Sequence, residues 1–195
     1  MKKIVLASGS PRRKQLLEWA EVDFDIIVEA TNESFPEGLT TTQTAVHIAK
    51  QKALAVKACE TYKRYDQRVP VLAADTIVVC EGKIIGKPED RDDAIRILHL
   101  LSGKKHQVIT GVVIINGKEE KAFADITEVW FHELTPEQII FYVEKYKPYD
   151  KAGAYAIQEW IGVVGIERIN GDFYNVMGLP VSRVVKALED LKFEI

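Results

Sequence analysis

Residues 3–17, KIVLASGSPRRKQLL, leave little choice of local structure. The apolar run Ile4–Ala7 predicts a short buried strand that ends at Ser8-Gly9. Ser10 and Pro11 then predict a helix, with serine as its N-cap and proline at its first position. A chain that passes directly from a buried strand into a helix favours a sheet with helices packed against it.

The first turn of this helix carries an unusual concentration of positive charge. Arg12, Arg13 and Lys14 stand at the positive end of the helix dipole, a mismatch of roughly 0.3–1 kcal/mol each at a surface. A solvated basic turn is one interpretation. The preceding Ser-Gly-Ser-Pro favours another, in which backbone N–H groups, hydroxyls and guanidinium groups form a cradle for phosphate.

Composition limits the class of protein. At 195 residues, 47% of them hydrophobic, the chain fits one domain with a substantial core. A net charge of −3 provides no broad basic surface, so we expect no nucleic-acid partner and only a local polyanion site. No apolar window approaches transmembrane length, which predicts no membrane association. Cys59 and Cys80 suit a reducing compartment, and we expect a cytoplasmic protein.

Hydrophobic spacing predicts an α/β fold in which a mixed, twisted sheet is flanked by helices. After the first junction, the predicted strands are Phe24–Val28, Val69–Cys80, His106–Ile115, Lys118–Phe131 and Ile161–Ile169, with a hairpin turn at Asn116-Gly117. The predicted later helices are Thr42–Tyr62, Asp90–Leu101, Pro136–Tyr146 and Pro180–Leu191.

Asp75 is the most informative single residue, because it stands in the otherwise apolar strand VPVLAADTIVVC. A buried, unpaired carboxylate costs several kcal/mol, so it must be protonated, paired or bound to a cation. A structural ion pair with Lys52 satisfies this requirement. The other interpretation is a general base for water, or a ligand of a divalent ion, near the phosphate cradle.

Several other polar residues have both ordinary and functional interpretations. Lys52 lies on the apolar stripe of its helix and could simply extend to solvent, and Lys87 could be a solvated turn lysine. Both gain significance if they converge on Asp75, because phosphate chemistry needs several cations. Gln158 could read a base edge or serve as a structural amide. We treat His106 as structural.

Motifs in the same order along nearly the whole chain resemble the Maf family of nucleoside triphosphate pyrophosphatases. Each motif is weak alone, but the ordered set is specific. The matching segments are SGSPRR at 8–13, NES at 32–34, AKQKA at 49–53, ADTIV at 74–78, GKP at 86–88, SG at 102–103 with His106, TG at 110–111, DKAGAY at 150–155, Gln158 and residues 171–180.

The resemblance implies a house-cleaning hydrolase that cleaves a nucleoside triphosphate between its α and β phosphates, yielding the monophosphate and pyrophosphate. It also implies a divalent cation, Mg²⁺ or Mn²⁺, and a single domain over 1–195. That domain would have the elongated, two-lobed architecture of Maf and ITPase proteins, with a central cleft. A homodimer and a link to cell-division arrest are further expectations from the family.

Carried over position by position, the resemblance makes Asp75 the proton acceptor. Glu33, Asp75 or both would hold the metal. The residues that correspond to phosphate-binding positions are Ser8, Arg12, Arg13, Lys52 and Lys87. The residues that match positions assigned to substrate choice in the dTTP/UTP branch are Arg12, Thr76 and Gln158.

One departure from the family pattern follows Gln158, where Glu159-Trp160 replaces the glycine of many members. A bulky, acidic pair there could reshape a base pocket. The alternatives to a dTTP/UTP pyrophosphatase are a 7-methyl-GTP-type pyrophosphatase and a non-catalytic nucleotide sensor in septum formation. A third alternative is a structural protein in which Lys52 and Asp75 form an internal salt bridge.

Overall fold

The computed structural model describes residues 3–193, in which helices and strands are interspersed along the chain. The strands are β1 (Ile4–Leu6), β2 (Phe24–Ile26), β3 (Val71–Cys80), β4 (Lys83–Ile85), β5 (Lys105–Asn116), β6 (Glu119–Phe131) and β7 (Ile166–Asn170). The α-helices are α1 (Pro11–Trp19), α2 (Thr41–Ala58), α3 (Arg91–Leu101), α4 (Pro136–Tyr146), α5 (Trp160–Val164), α6 (Phe173–Met177) and α7 (Val181–Asp190).

Within residues 3–193, the strands form a seven-stranded mixed sheet in the order β2-β1-β3-β5-β6-β7, with β4 paired to β3. Strand β1 runs parallel to both β2 and β3, and Val5 lies opposite Asp25 on one side and Val71 on the other. The pairs β3–β4 and β6–β7 are antiparallel. This arrangement confirms the predicted mixed α/β sheet with flanking helices.

Contacts divide the chain into two compact units. Of the described residues, the first unit comprises 3–75, 110–125 and 178–193, and the second comprises 76–109 and 126–177. The first unit has a fully apolar core between its sheet strands and α2. Its buried members are Val5, Ala7, Ile27, Ala49, Ala53, Val56, Tyr62, Val71, Ala73, Val113 and Ile115. Among the described residues, no helix combines the length and apolar character needed to span a bilayer.

Some predicted boundaries were wrong, and one short helix was not predicted. Helix α2 ends at Ala58, because Cys59 has an extended backbone; Tyr62 lies in a separate 3₁₀ turn, where its hydroxyl donates to the Val69 carbonyl. The tight turn between β5 and β6 is Gly117-Lys118, one residue later than predicted, with Gly117 at a φ of 59°. Helix α6 lies in a region without a predicted element.

The predicted strand Ile161–Ile169 was also wrong in its first half. Residues 160–164 form α5, and only Ile166–Asn170 forms a strand. A short apolar run does not distinguish a strand from a buried helical turn by periodicity. Gly162 permits the observed turn, because its Cα packs so tightly against the Ile157 carbonyl that a Cβ would lie 1.7 Å from that oxygen.

Candidate active site

The start of α1 holds Arg13 in a fixed position inside the first unit. Ser10 is the N-cap, with extended backbone, and Pro11 opens the helix as predicted. The Arg13 guanidinium donates from Nη1 to Ser8 Oγ at 3.0 Å and from Nε to the Gly178 carbonyl at 2.8 Å. Ser8 Oγ also accepts from the Ser10 backbone N–H at 3.3 Å. The cation is therefore attached to the turn at which α1 begins.

Arg13 keeps its charge although it is buried. Burial lowers the pKa of its guanidinium to about 10, and the neighbouring Asp75 carboxylate opposes this decrease. The positive charge of Arg12 lowers the pKa further, whereas Glu33 raises it. At neutral pH, Arg13 remains a cation beside the acid of β3.

Asp75 is paired, as its position in an apolar strand requires. Strand β3 continues through it without a break, and the residue is 9% exposed. Lys52 of α2 does not extend to solvent: its side chain is 19% exposed, and its Nζ lies 2.6 Å from Asp75 Oδ1. The capping box of Thr40 and Gln43 fixes where α2 begins, with its N-cap twelve positions before this lysine.

Glu33 approaches the same lysine from a loop between β2 and α2. Its Oε1 lies 2.8 Å from Lys52 Nζ, and its side chain is 52% exposed. One ammonium group is thus shared between a buried acid and an exposed acid. The structure therefore brings together five of the predicted site residues, which are Ser8, Arg13, Glu33, Lys52 and Asp75.

The carboxylates of this site can be compared with the ligands that the implied divalent cation requires. Residues 3–193 contain no group of three or more His, Cys, Asp or Glu side chains that could hold a metal ion. Mg²⁺ is usually bound by only one or two carboxylates together with water and substrate phosphates. Glu33 and Asp75, held close by a shared ammonium, fit that mode of binding.

The remaining predicted residues occupy different positions. Arg12 is partly exposed on the first turn of α1. Thr76 follows Asp75 in β3 and is partly exposed, and Lys87 and Gln158 are exposed. Inside the second unit, the segments that carry Lys87 and Gln158 are joined by a hydrogen bond from the Gly153 N–H to the Gly86 carbonyl, 3.0 Å long.

The Glu159-Trp160 departure is accommodated within the second unit. The Glu159 carboxylate accepts a hydrogen bond from the Tyr142 hydroxyl, and Trp160 packs edge-on against Phe141 at 5.0 Å between ring centroids. The sequence did not indicate this role for Tyr142, nor the Gly178 carbonyl as a partner of Arg13. A backbone acceptor 165 residues away leaves no signal in the sequence.

A mixed α/β fold, a basic helix start and a buried acid paired with lysine define a protein built to bind a polyanion near a carboxylate. Residues 3–191 match the family model described as Maf-like protein, and the chain belongs to this family.

Relatives of known name match nearly the whole chain. A dTTP/UTP pyrophosphatase of Cytophaga hutchinsonii is 48% identical over 96% of this chain and 84% of its own length. One from Bacteroides fragilis is 45% identical, covering 97% of this chain and 96% of that protein. Among solved structures, the Staphylococcus aureus Ham1 protein shares the fold, with a TM-score of 0.50 and 16% identity over 98% of this chain and all of that one.

Proposed function

We propose that this chain is a nucleoside triphosphate pyrophosphatase that hydrolyses dTTP and UTP between the α and β phosphates. The Lys52–Asp75 pair beside the buried Arg13 carries this proposal, because it combines a carboxylate with the cations that a triphosphate needs. The names of the relatives support pyrimidine substrates over a 7-methyl-GTP-type enzyme or a non-catalytic sensor. Residues 1–195 then act as one domain.

The proposed roles follow from the chemistry of each group. Arg13 and the N–H groups at the start of α1 bind phosphate oxygens, and Ser8 holds Arg13 in place. Lys52 neutralises a further oxygen, and Asp75 accepts the proton of the water that attacks the α-phosphorus. We assign phosphate binding also to Arg12 and Lys87, and base selection to Arg12, Thr76 and Gln158.

Glu33 and Asp75 are the residues that would hold Mg²⁺ or Mn²⁺. Such a cation supplies charge neutralisation on the phosphate oxygens when it is bound. We further propose that the protein acts in the cytoplasm in a house-cleaning role, where Cys59 and Cys80 remain free thiols. The oligomeric form that we propose is a homodimer, which sedimentation equilibrium tests.

The test is Asp75→Asn, assayed for pyrophosphate release from dTTP and UTP with Mg²⁺ present. Loss of the proton acceptor should lower kcat by at least about 100-fold. Asp66→Asn is the matched control, because it changes the same chemical group in an exposed ion pair with Arg68 of the same unit. Near-wild-type turnover by folded Asp75→Asn would remove Asp75 from the chemistry. Binding of dTTP by the wild type without turnover would favour the sensor.

A further inference from the structure

The segment that ends at Gln158 is buried everywhere except at that residue. Residues 153–157 are all buried, and Gln158 is the exposed residue that follows them. Within the same segment, the Tyr155 hydroxyl lies 2.8 Å from His106 Nε2 of β5. Gln158 therefore stands at the end of a backbone segment that is buried in the second unit.

Tyr142 of α4 contacts the chain on both sides of Gln158, the backbone of Ala156 on one side and the Glu159 side chain on the other. Its hydroxyl accepts from the Ala156 N–H at 3.1 Å and donates to the Glu159 carboxylate. Ala156 precedes Gln158 by two residues and Glu159 follows it directly. One phenol group thus connects the two flanks of the exposed residue.

Glu159 is held by a second partner. The Nζ of Lys151, whose side chain is only 10% exposed, lies 3.6 Å from Glu159 Oε1 and 2.8 Å from Asp150 Oδ1. The Glu159 side chain is itself 22% exposed, so its charge faces the protein more than solvent. A charge-assisted hydrogen bond and an ion pair at low exposure restrain the side chain strongly.

The residues after Glu159 continue the same restraint. The Gly162 N–H donates to the Glu159 carbonyl at 2.9 Å, and the Cα of Gly162 packs directly against the Ile157 carbonyl. Gln158 thus lies between two residues whose backbone groups are hydrogen-bonded, Ala156 and Glu159, while Gln158 itself is exposed.

We propose that Glu159 is a positioning residue for substrate selection: through Tyr142 and Lys151 it fixes the backbone that presents Gln158, and this sets the preference among bases. The inference rests on the proposed function, in which Gln158 contacts the base. Glu159, which departs from the family pattern, thereby has a specific task. It holds the orientation of the neighbouring Gln158 amide. The reacting phosphates are not involved.

The experiment compares Glu159→Ala, Glu159→Gln and Tyr142→Phe, measuring kcat and KM for dTTP, UTP and dGTP by pyrophosphate release. In Glu159→Ala and Tyr142→Phe, we expect KM for dTTP to rise about tenfold with kcat nearly unchanged, so that the preference for dTTP over dGTP falls about tenfold. Glu159→Gln keeps an oxygen that accepts from Tyr142, and should retain most of the preference.

Glu144→Ala is the matched control, because Glu144 also lies on the second unit but pairs with Arg91 at the surface. An unchanged preference in Glu159→Ala and Tyr142→Phe would overturn the inference. So would variants that unfold, or that lose kcat equally for every triphosphate, because both results indicate a purely structural contact. Wild-type protein that hydrolyses no triphosphate would overturn the proposed function and this inference together. If the wild type is active and the variants keep its base preference, only this inference fails.

Discussion

Lys52 shows at the scale of one residue why the buried acid of β3 is tolerated. Its ammonium lies within 2.8 Å of both Asp75 and Glu33, so the buried carboxylate is compensated. Buried ion pairs rarely stabilise a fold more than well-packed apolar residues of the same volume would. A strand of Val, Ala and Ile gains little stability from Asp75, which favours a chemical role for the pair over a structural one.

His106 gives a prediction about stability at the same scale. The residue is 1% exposed, and burial lowers the pKa of its imidazole to about 4, against an ordinary value of 6.5. The unfolded chain therefore binds a proton between these two pH values while the folded chain does not. The free energy of unfolding should decrease as the pH falls from about 6.5 towards 4, by roughly 3 kcal/mol from this residue.

Urea denaturation at a series of pH values checks this expectation, with His106→Gln as the comparison because glutamine does not titrate. The wild type should lose roughly 3 kcal/mol more than the variant between pH 7 and pH 4. Parallel pH profiles for the two proteins would show that His106 titrates normally in the fold.

At the scale of elements, the sequence predicted those helices whose ends carry strong local signals. Helix α4 was predicted with its observed bounds, and in the structure Thr135 and Gln138 form a capping box while Pro136 opens the helix. Helix α5 was predicted as part of a strand from Ile161 onward, because its five residues are too few to show a period and its N-cap residue, Glu159, makes no side-chain cap. The close approach of Gly162 to the Ile157 carbonyl, which accompanies this turn, leaves no mark in so short an apolar run.

The packing of α2 against β5 depends on a glycine. A Cβ on Gly111 would lie 2.3 Å from the backbone carbon of Ala45 and 2.3 Å from the backbone nitrogen of Val46. Gly111→Ala should therefore push the helix from the strand and lower the free energy of unfolding by about 3 kcal/mol, measured by urea denaturation. Gly86→Ala is the control, because no atom lies within 4 Å of its Cβ position. Equal stability of the two variants would contradict this account of the packing.

At the scale of the whole molecule, sequence motifs predicted which residues form the candidate site. They did not predict the contacts that hold those residues in place. Asp75 and Lys52 were named together because an acid in an apolar strand needs a cation, and the ion pair is present. Their joint pairing with Glu33, and the attachment of Arg13 to Gly178, depend on loops whose course has no periodic pattern. The distinction between a nucleotide enzyme and a structural protein therefore requires a ligand.

Stabilisation of the whole protein by a triphosphate makes that distinction. A ligand that binds only the folded state at 100 times its Kd adds about 2.7 kcal/mol, which for a chain of this size raises Tm by roughly 5–10 °C. We expect this shift with the α,β-methylene analogue of dTTP and Mg²⁺, measured by differential scanning calorimetry; the analogue is not consumed. Arg13→Met should abolish the shift, whereas Arg68→Met, at an exposed ion pair, should keep it. A Tm that the analogue leaves unchanged in the wild type would favour the structural interpretation, in which the Lys52–Asp75 pair serves only the fold.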